Sequence, residues 1–197
     1  MPITIRVIYP LDAGDLVLRT SLDWERNLEP RRVDARNCRF DFQILTGEPF
    51  VYFKPVLLRG REARWSVGKD YLAVAGATET REVYPNFQPD AGCSACDLHE
   101  LEAGSRRHAY RVFFPPGYEE NHLRRYPVLY MHDGQNLFFP DEAFGGEHWR
   151  VVETLTALDE MNAIDQAIVV GVYPAAREFV YTLPGYEEFG GLIVDTV

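Results

Sequence analysis

Basic residues are in short supply: 20 lysines and arginines face 30 aspartates and glutamates, leaving a formal net charge of -10. A surface of that sign repels phosphate backbones and anionic lipid, which disfavours nucleic acid and membrane surfaces as partners. Small uncharged or cationic ligands stay open. Cysteine is scarce as well. Cys38, Cys93 and Cys96 are odd in number and too few for a disulfide framework, which fits a reducing compartment. No apolar run is long enough to span a bilayer. The opening Met1-Pro2-Ile3-Thr4-Ile5-Arg6 has no basic stretch leading into an apolar one, as a secretory signal would. The expectation is a cytoplasmic protein.

What the chain does have is core material. Of its 197 residues 46% are hydrophobic and 13% aromatic, enough for one or two domains. Up to about residue 88 the pattern is short β-type runs between turn residues. Ile3 to Tyr9 alternates, Asp15 to Arg19 follows a Pro/Gly break, and Arg39-Phe40-Asp41-Phe42-Gln43-Ile44 places its apolar residues on one face. Phe50 to Leu57, Arg64 to Val67, Tyr71 to Val74 and Thr80 to Tyr84 complete the set, so residues 1–88 read as a small β-sandwich. Residues 89–106 open with turn formers, turn charged and small-residue rich, and read as a linker.

From residue 107 the grammar changes. His108 to Phe114 is a strand stopped by Pro115-Pro116-Gly117, and Tyr126 to Met131 is a near-continuous apolar run expected to be covered on both faces. Trp149, Val152, Leu155, Leu158 and Met161 recur at helical spacing, and Ala167 to Val172 is another apolar strand. Two such strands around one amphipathic helix argue for a βαβ unit and a parallel sheet. Leu192, Ile193 and Val197 begin a further helical stripe that stops without a C-terminal signal, as in a helix cut short.

Arg111 to Tyr118, the run Tyr126-Pro127-Val128-Leu129-Tyr130-Met131-His132-Asp133-Gly134-Gln135-Asn136-Leu137-Phe138, Trp149, the Ile168 to Val172 strand and Arg177 together carry a likeness. This half resembles the start of the catalytic domain in the enterochelin-esterase-like family of the α/β-hydrolase superfamily, which includes feruloyl and acetyl-xylan esterases. Pro49 to Pro55 and Trp65 to Gly68 are similar to the immunoglobulin-like domain that precedes it in some members. The resemblance implies an N-terminal immunoglobulin-like β-sandwich (1–88), a linker (89–106) and the front of a truncated α/β-hydrolase esterase domain (107–197). It implies a small-molecule carboxylic ester as substrate, an acyl-serine intermediate, and no metal or organic cofactor.

That chemistry needs a serine on a strained strand-to-helix turn, then an acid, then a histidine. No serine follows Ser105, so none of the triad is expected in this chain and it is expected to be inactive alone. Gly92-Cys93-Ser94-Ala95-Cys96 lacks the closing glycine of a nucleophile turn and sits in the linker. His132 takes a loop-shaping role, since the family's base comes last. By the same resemblance Asp133, Gly134 and Gln135 form an oxyanion loop whose backbone N–H groups stabilise negative charge on the carbonyl oxygen. A plain Asp-Gly turn is the simpler alternative. Asn136, Arg177 and Tyr181 are candidate pocket-wall residues, with pairing to Glu178 or Glu187 as the alternative for Arg177.

Cys93-x-x-Cys96-x-x-His99 is half of a zinc pattern, to which Cys38 or His108 would have to be added; only one ligand pair is present, so no metal is expected. Trp24, Tyr52, Trp65, Tyr71 and Phe87 are expected as core residues, with stacking on sugar or aryl rings as the alternative. The competing function is therefore a carbohydrate- or protein-binding module with an inert hydrolase-like half.

Overall fold

A computed structural model describes residues 2–89, 97–103 and 106–174. The chain divides into two compact units: Met1–Cys93 with Pro115–Tyr126 and Thr156–Asp165, and Ser94–Phe114 with Pro127–Leu155 and Gln166–Val197.

In the first unit the alternation of the sequence becomes two sheets. β1 (Pro2–Ile8), β4 (Arg32–Asp34), β5 (Arg39–Leu45) and β9 (Arg81–Val83) form one, in the order β4-β5-β1-β9. β5 lies antiparallel to β1 with Ile5 opposite Phe42, and β9 lies parallel to β1. The other runs β3-β2-β6-β7, from β2 (Asp15–Thr20), β3 (Asp23–Leu28), β6 (Phe50–Arg59) and β7 (Glu62–Trp65), with β8 (Tyr71–Val74) also on β6. Period-two spacing sends Ile3, Ile5 and Val7 of β1 and Phe40, Phe42 and Ile44 of β5 to one side. They meet Leu16, Leu18, Val51 and Phe53 of the other sheet in a single core. Each such fully buried side chain contributes roughly 1.5–3 kcal/mol relative to exposure.

Later parts of the chain complete this unit. Asn121 is buried, and its Nδ2 donates to the carbonyls of Ile8 and Pro85, both at 2.9 Å. Gly117, at φ +83°, sits so close to Asn86 that a Cβ would lie 2.6 Å from its Cγ, so only glycine makes this turn. Lys69, buried, donates to Asp159 at 2.6 Å and to the Ile164 carbonyl at 3.3 Å. Asn162 accepts from the Leu72 N–H and donates to the Asp70 carbonyl.

The second unit holds one four-stranded sheet in the order β10-β11-β13-β12, from β10 (Leu98–Ala103), β11 (Arg106–Phe113), β12 (Val128–His132) and β13 (Ile168–Val172). β10 lies within the segment read as linker. β12 and β13 pair in parallel, while β11 is antiparallel to both β10 and β13. The helix α1 (Val151–Glu160) follows β12 in the chain, and its Val151, Val152 and Leu155 pack with Phe113, Leu137, Phe138 and Val169.

The expected fold class is corrected by this architecture. An immunoglobulin-like sandwich followed by a parallel-sheet α/β-hydrolase domain is not what forms: the described residues are 44% strand and 12% helix, with one α-helix and three small sheets, antiparallel or mixed, among them. All-parallel sheets are covered by helices on both faces, and among the described residues a single ten-residue helix is present to cover this one. The strand expected to be covered on both faces shows the result. In β12, Val128, Leu129 and Tyr130 remain 45%, 42% and 41% exposed. No helix among the described residues is long and apolar enough to cross a membrane.

Candidate functional site

The site is built where β12 ends. Asp133 leaves the strand in the left-handed region, φ 56° and ψ 46°, which costs a non-glycine residue roughly 1–2 kcal/mol. Gly134, Gln135 and Asn136 then make one 3-10 turn, closed by the Asn136 N–H on the Asp133 carbonyl at 2.8 Å. Gly134 is buried against β13. A Cβ there would lie 2.6 Å from the Gly171 carbonyl carbon and oxygen and 2.7 Å from Tyr173 Cδ2. Glycine is required because backbone meets backbone.

Among the described residues, neither the Gly134 nor the Gln135 N–H donates to a backbone carbonyl. The Gln135 Oε1 is buried, with no hydrogen-bond partner among the described residues. Backbone N–H groups that a fixed turn leaves open can donate to an acceptor on a ligand.

The other sequence candidates fall out differently. Asn136 is buried, its Oδ1 accepting from the Phe144 N–H at 2.9 Å and its carbonyl from the Trp149 N–H at 2.7 Å. It ties the turn to the loop that leads into α1. Its side chain is committed to backbone. Arg177 and Tyr181 lie outside the described residues, as do Cys93, Ser94 and Cys96. His132 ends β12 and is exposed, consistent with a place beside the turn. His99 stacks on Tyr110 with ring centroids 5.2 Å apart, and His108 is buried in β11. Cys38 lies in the first unit in a left-handed conformation, its Sγ 3.9 Å from the Ala35 carbonyl. Among the described residues no group of His, Cys, Asp and Glu gathers as a metal site would.

A polar cluster that sequence reading did not single out also lies in this unit. The Arg111 Nε donates to Glu142 Oε2 at 3.0 Å and to the Tyr173 hydroxyl at 2.9 Å, and the guanidinium forms a second, short bond to Glu142 Oε1. The Tyr173 hydroxyl donates to Glu142 Oε2 at 2.5 Å. Phe139 lies beneath the guanidinium, 5.1 Å from its ring centre. Burial alone would raise the Glu142 pKa, but hydrogen bonds from Arg111 and Tyr173 outweigh it and hold the carboxyl below its ordinary range. Burial, then the hydrogen bond to Glu142, push the Tyr173 phenol up to about 12. Since Gly134 packs on both Gly171 and Tyr173, this cluster braces the strand end on which the turn rests.

No family model matches the sequence, and no curated protein matches it.

Proposed function

We propose that the second unit serves the hydrolysis of carboxylic esters through an acyl-serine intermediate, with the turn at Asp133, Gly134 and Gln135 as its anion-stabilising element. The observation that carries the reading is the turn itself. A left-handed Asp133 and a glycine pressed onto Gly171 fix a turn whose Gly134 and Gln135 N–H groups donate to no backbone carbonyl among the described residues. Fixed donors of this kind act where attack on an ester carbonyl places negative charge on oxygen, and they need no reorganisation as that charge develops. The sequence resemblance over residues 107–197 supports the same chemistry. Arg177 and Tyr181, outside the described residues, are proposed to border the acyl group, while Asn136, bonded to the Phe144 N–H, is proposed to hold the turn beside it. The sequence has no serine after Ser105, so the 197-residue chain is proposed to be inactive by itself.

The test is a titration of ¹⁵N-labelled chain with monoethyl methylphosphonate, a tetrahedral anion. Shifts at the Gly134 and Gln135 amides that vanish in Gly134→Ala support the reading. Amides that stay put in the folded wild type sink it. Turnover of 4-nitrophenyl acetate that depends on a serine of this chain would overturn the proposed inactivity.

A further inference from the structure

The first unit carries an open cleft of about 1070 Å³ that the ester reading leaves unused. Its floor is rigid. Tyr9 and Phe87 are buried and meet edge to face, ring centroids 5.0 Å apart. Glu120 locks them: its carboxylate accepts from the Tyr9 hydroxyl at 2.7 Å, the Phe87 N–H at 2.9 Å and the Gln88 N–H at 2.8 Å. One wall is Trp65, at the end of β7, which stays 37% exposed. The Arg19 guanidinium lies 5.0 Å from its ring centre and Trp24 6.1 Å away, so the indole is held in place before any ligand arrives. Around the mouth stand Asp12 and Glu119, exposed carboxylates, with Arg64 as a cation.

We propose that this cleft binds a neutral oligosaccharide, one sugar ring lying against Trp65 and its hydroxyls reaching Asp12 and Glu119. Pockets for single drug-sized ligands hold about 300–1,000 Å³, so an open cleft of about 1070 Å³, just beyond that range, suits an extended chain of rings. A sugar presents an apolar C–H face and a polar rim, the pairing that an amphipathic indole beside carboxylates meets. Carboxylates lining the cleft disfavour anionic ligands, and Arg64, paired with Glu62 at 3.0 Å, adds little charge of its own. A prepositioned ring also spares the ordering entropy of binding.

Isothermal titration of the full chain with cellohexaose and with maltohexaose tests this, independently of any ester chemistry. At least one hexasaccharide is expected to bind, with Trp65→Ala weakening it about tenfold and Trp149→Phe leaving it unchanged. Trp65→Tyr, which keeps an aromatic face, is expected to retain most of the affinity. Asp12→Ala and Glu119→Ala alter exposed side chains, so they read the site even if Trp65→Ala folds poorly; each is expected to weaken binding about threefold. Binding untouched by both, or by Trp65→Ala in folded protein, would overturn the proposal. So would failure of both sugars to bind, or Trp65-dependent capture of hexalysine in place of sugar.

Discussion

The two units differ in how they treat their strand faces. In the first, two sheets close on one core and the alternating residues of β1 and β5 are buried almost completely. Among the described residues of the second, one sheet meets one helix, and β12 leaves three consecutive apolar residues about two-fifths exposed. The same kind of apolar sequence therefore has different worth in each. A side chain's contribution is set by what the far side of its sheet supplies, which no local spacing encodes.

The sharpest way to break this contrast is paired truncation. Phe53→Ala, in the closed core, is expected to cost about 3–5 kcal/mol, read by urea unfolding. Leu129→Ala is expected to cost under about 1 kcal/mol, since half the side chain is already in water. Trp24 and Trp65 report the first unit and Trp149 the second, so single-tryptophan variants assign each transition. Comparable losses at the two sites would remove the distinction.

Next in size is the buried ion pair. Asp159→Ala removes the 2.6 Å partner of the buried Lys69 ammonium, leaving it the Ile164 carbonyl at 3.3 Å and Asp165 at 3.9 Å, and is expected to cost about 3 kcal/mol. Replacing both, as Lys69→Met with Asp159→Leu, removes two buried charges together and is expected to recover most of that. A double variant as unstable as the single would show that the pair contributes net stability, and the first unit would then owe less to its apolar core.

A smaller effect separates the units by pH. The Tyr173 phenol is raised from 10 to about 12 in the folded chain. Above pH 10 the unfolded state gives up this proton before the folded state does, so the stabilisation is whole below 10 and fades as pH rises through about 12. Tyr173→Phe is expected to flatten the loss of stability across that window. Tyr71 in the first unit is also raised to about 12, through burial first, and its share of the slope should persist in the variant. A slope unchanged by Tyr173→Phe would place the whole effect in the first unit.

The least effect is expected from Leu129→Lys on the exposed face of β12. Stability should move by no more than about 0.5 kcal/mol, while the concentration at which light scattering reports association should rise. Lower solubility would show that this face is covered.

Much of the first unit is legible in the sequence. Arg39 to Ile44 alternates, and β5 buries Phe40, Phe42 and Ile44 as that alternation requires. The strands that escape sequence reading are β3, β4 and β10, and all three lie at the ends of their sheets. An end strand is wetted along one edge and needs fewer apolar residues; Asp23-Trp24-Glu25-Arg26-Asn27-Leu28 has only two. The apolar run of β12 misleads in the opposite sense, because a strand's position in its sheet is a long-range property. The turn at Gly134 is legible as a turn, but its contact with Gly171 is not. Nor is the cluster of Arg111, Glu142 and Tyr173, whose members stand 31 and 62 residues apart.

The salt bridge between Lys69 and Asp159 has a consequence for how the chain is made. Its partners are 90 residues apart, and the Asn162 bonds to the Leu72 N–H and the Asp70 carbonyl span a similar distance. A ribosome adding about 5–20 residues per second delivers Asp159 roughly 5–20 s after Lys69. Throughout that interval the nascent first unit carries an uncompensated ammonium where a finished protein has a buried pair. Its last layer is laid only after β10, β11 and β12 have been synthesised, so vectorial synthesis interleaves the two units in time as the chain interleaves them in sequence.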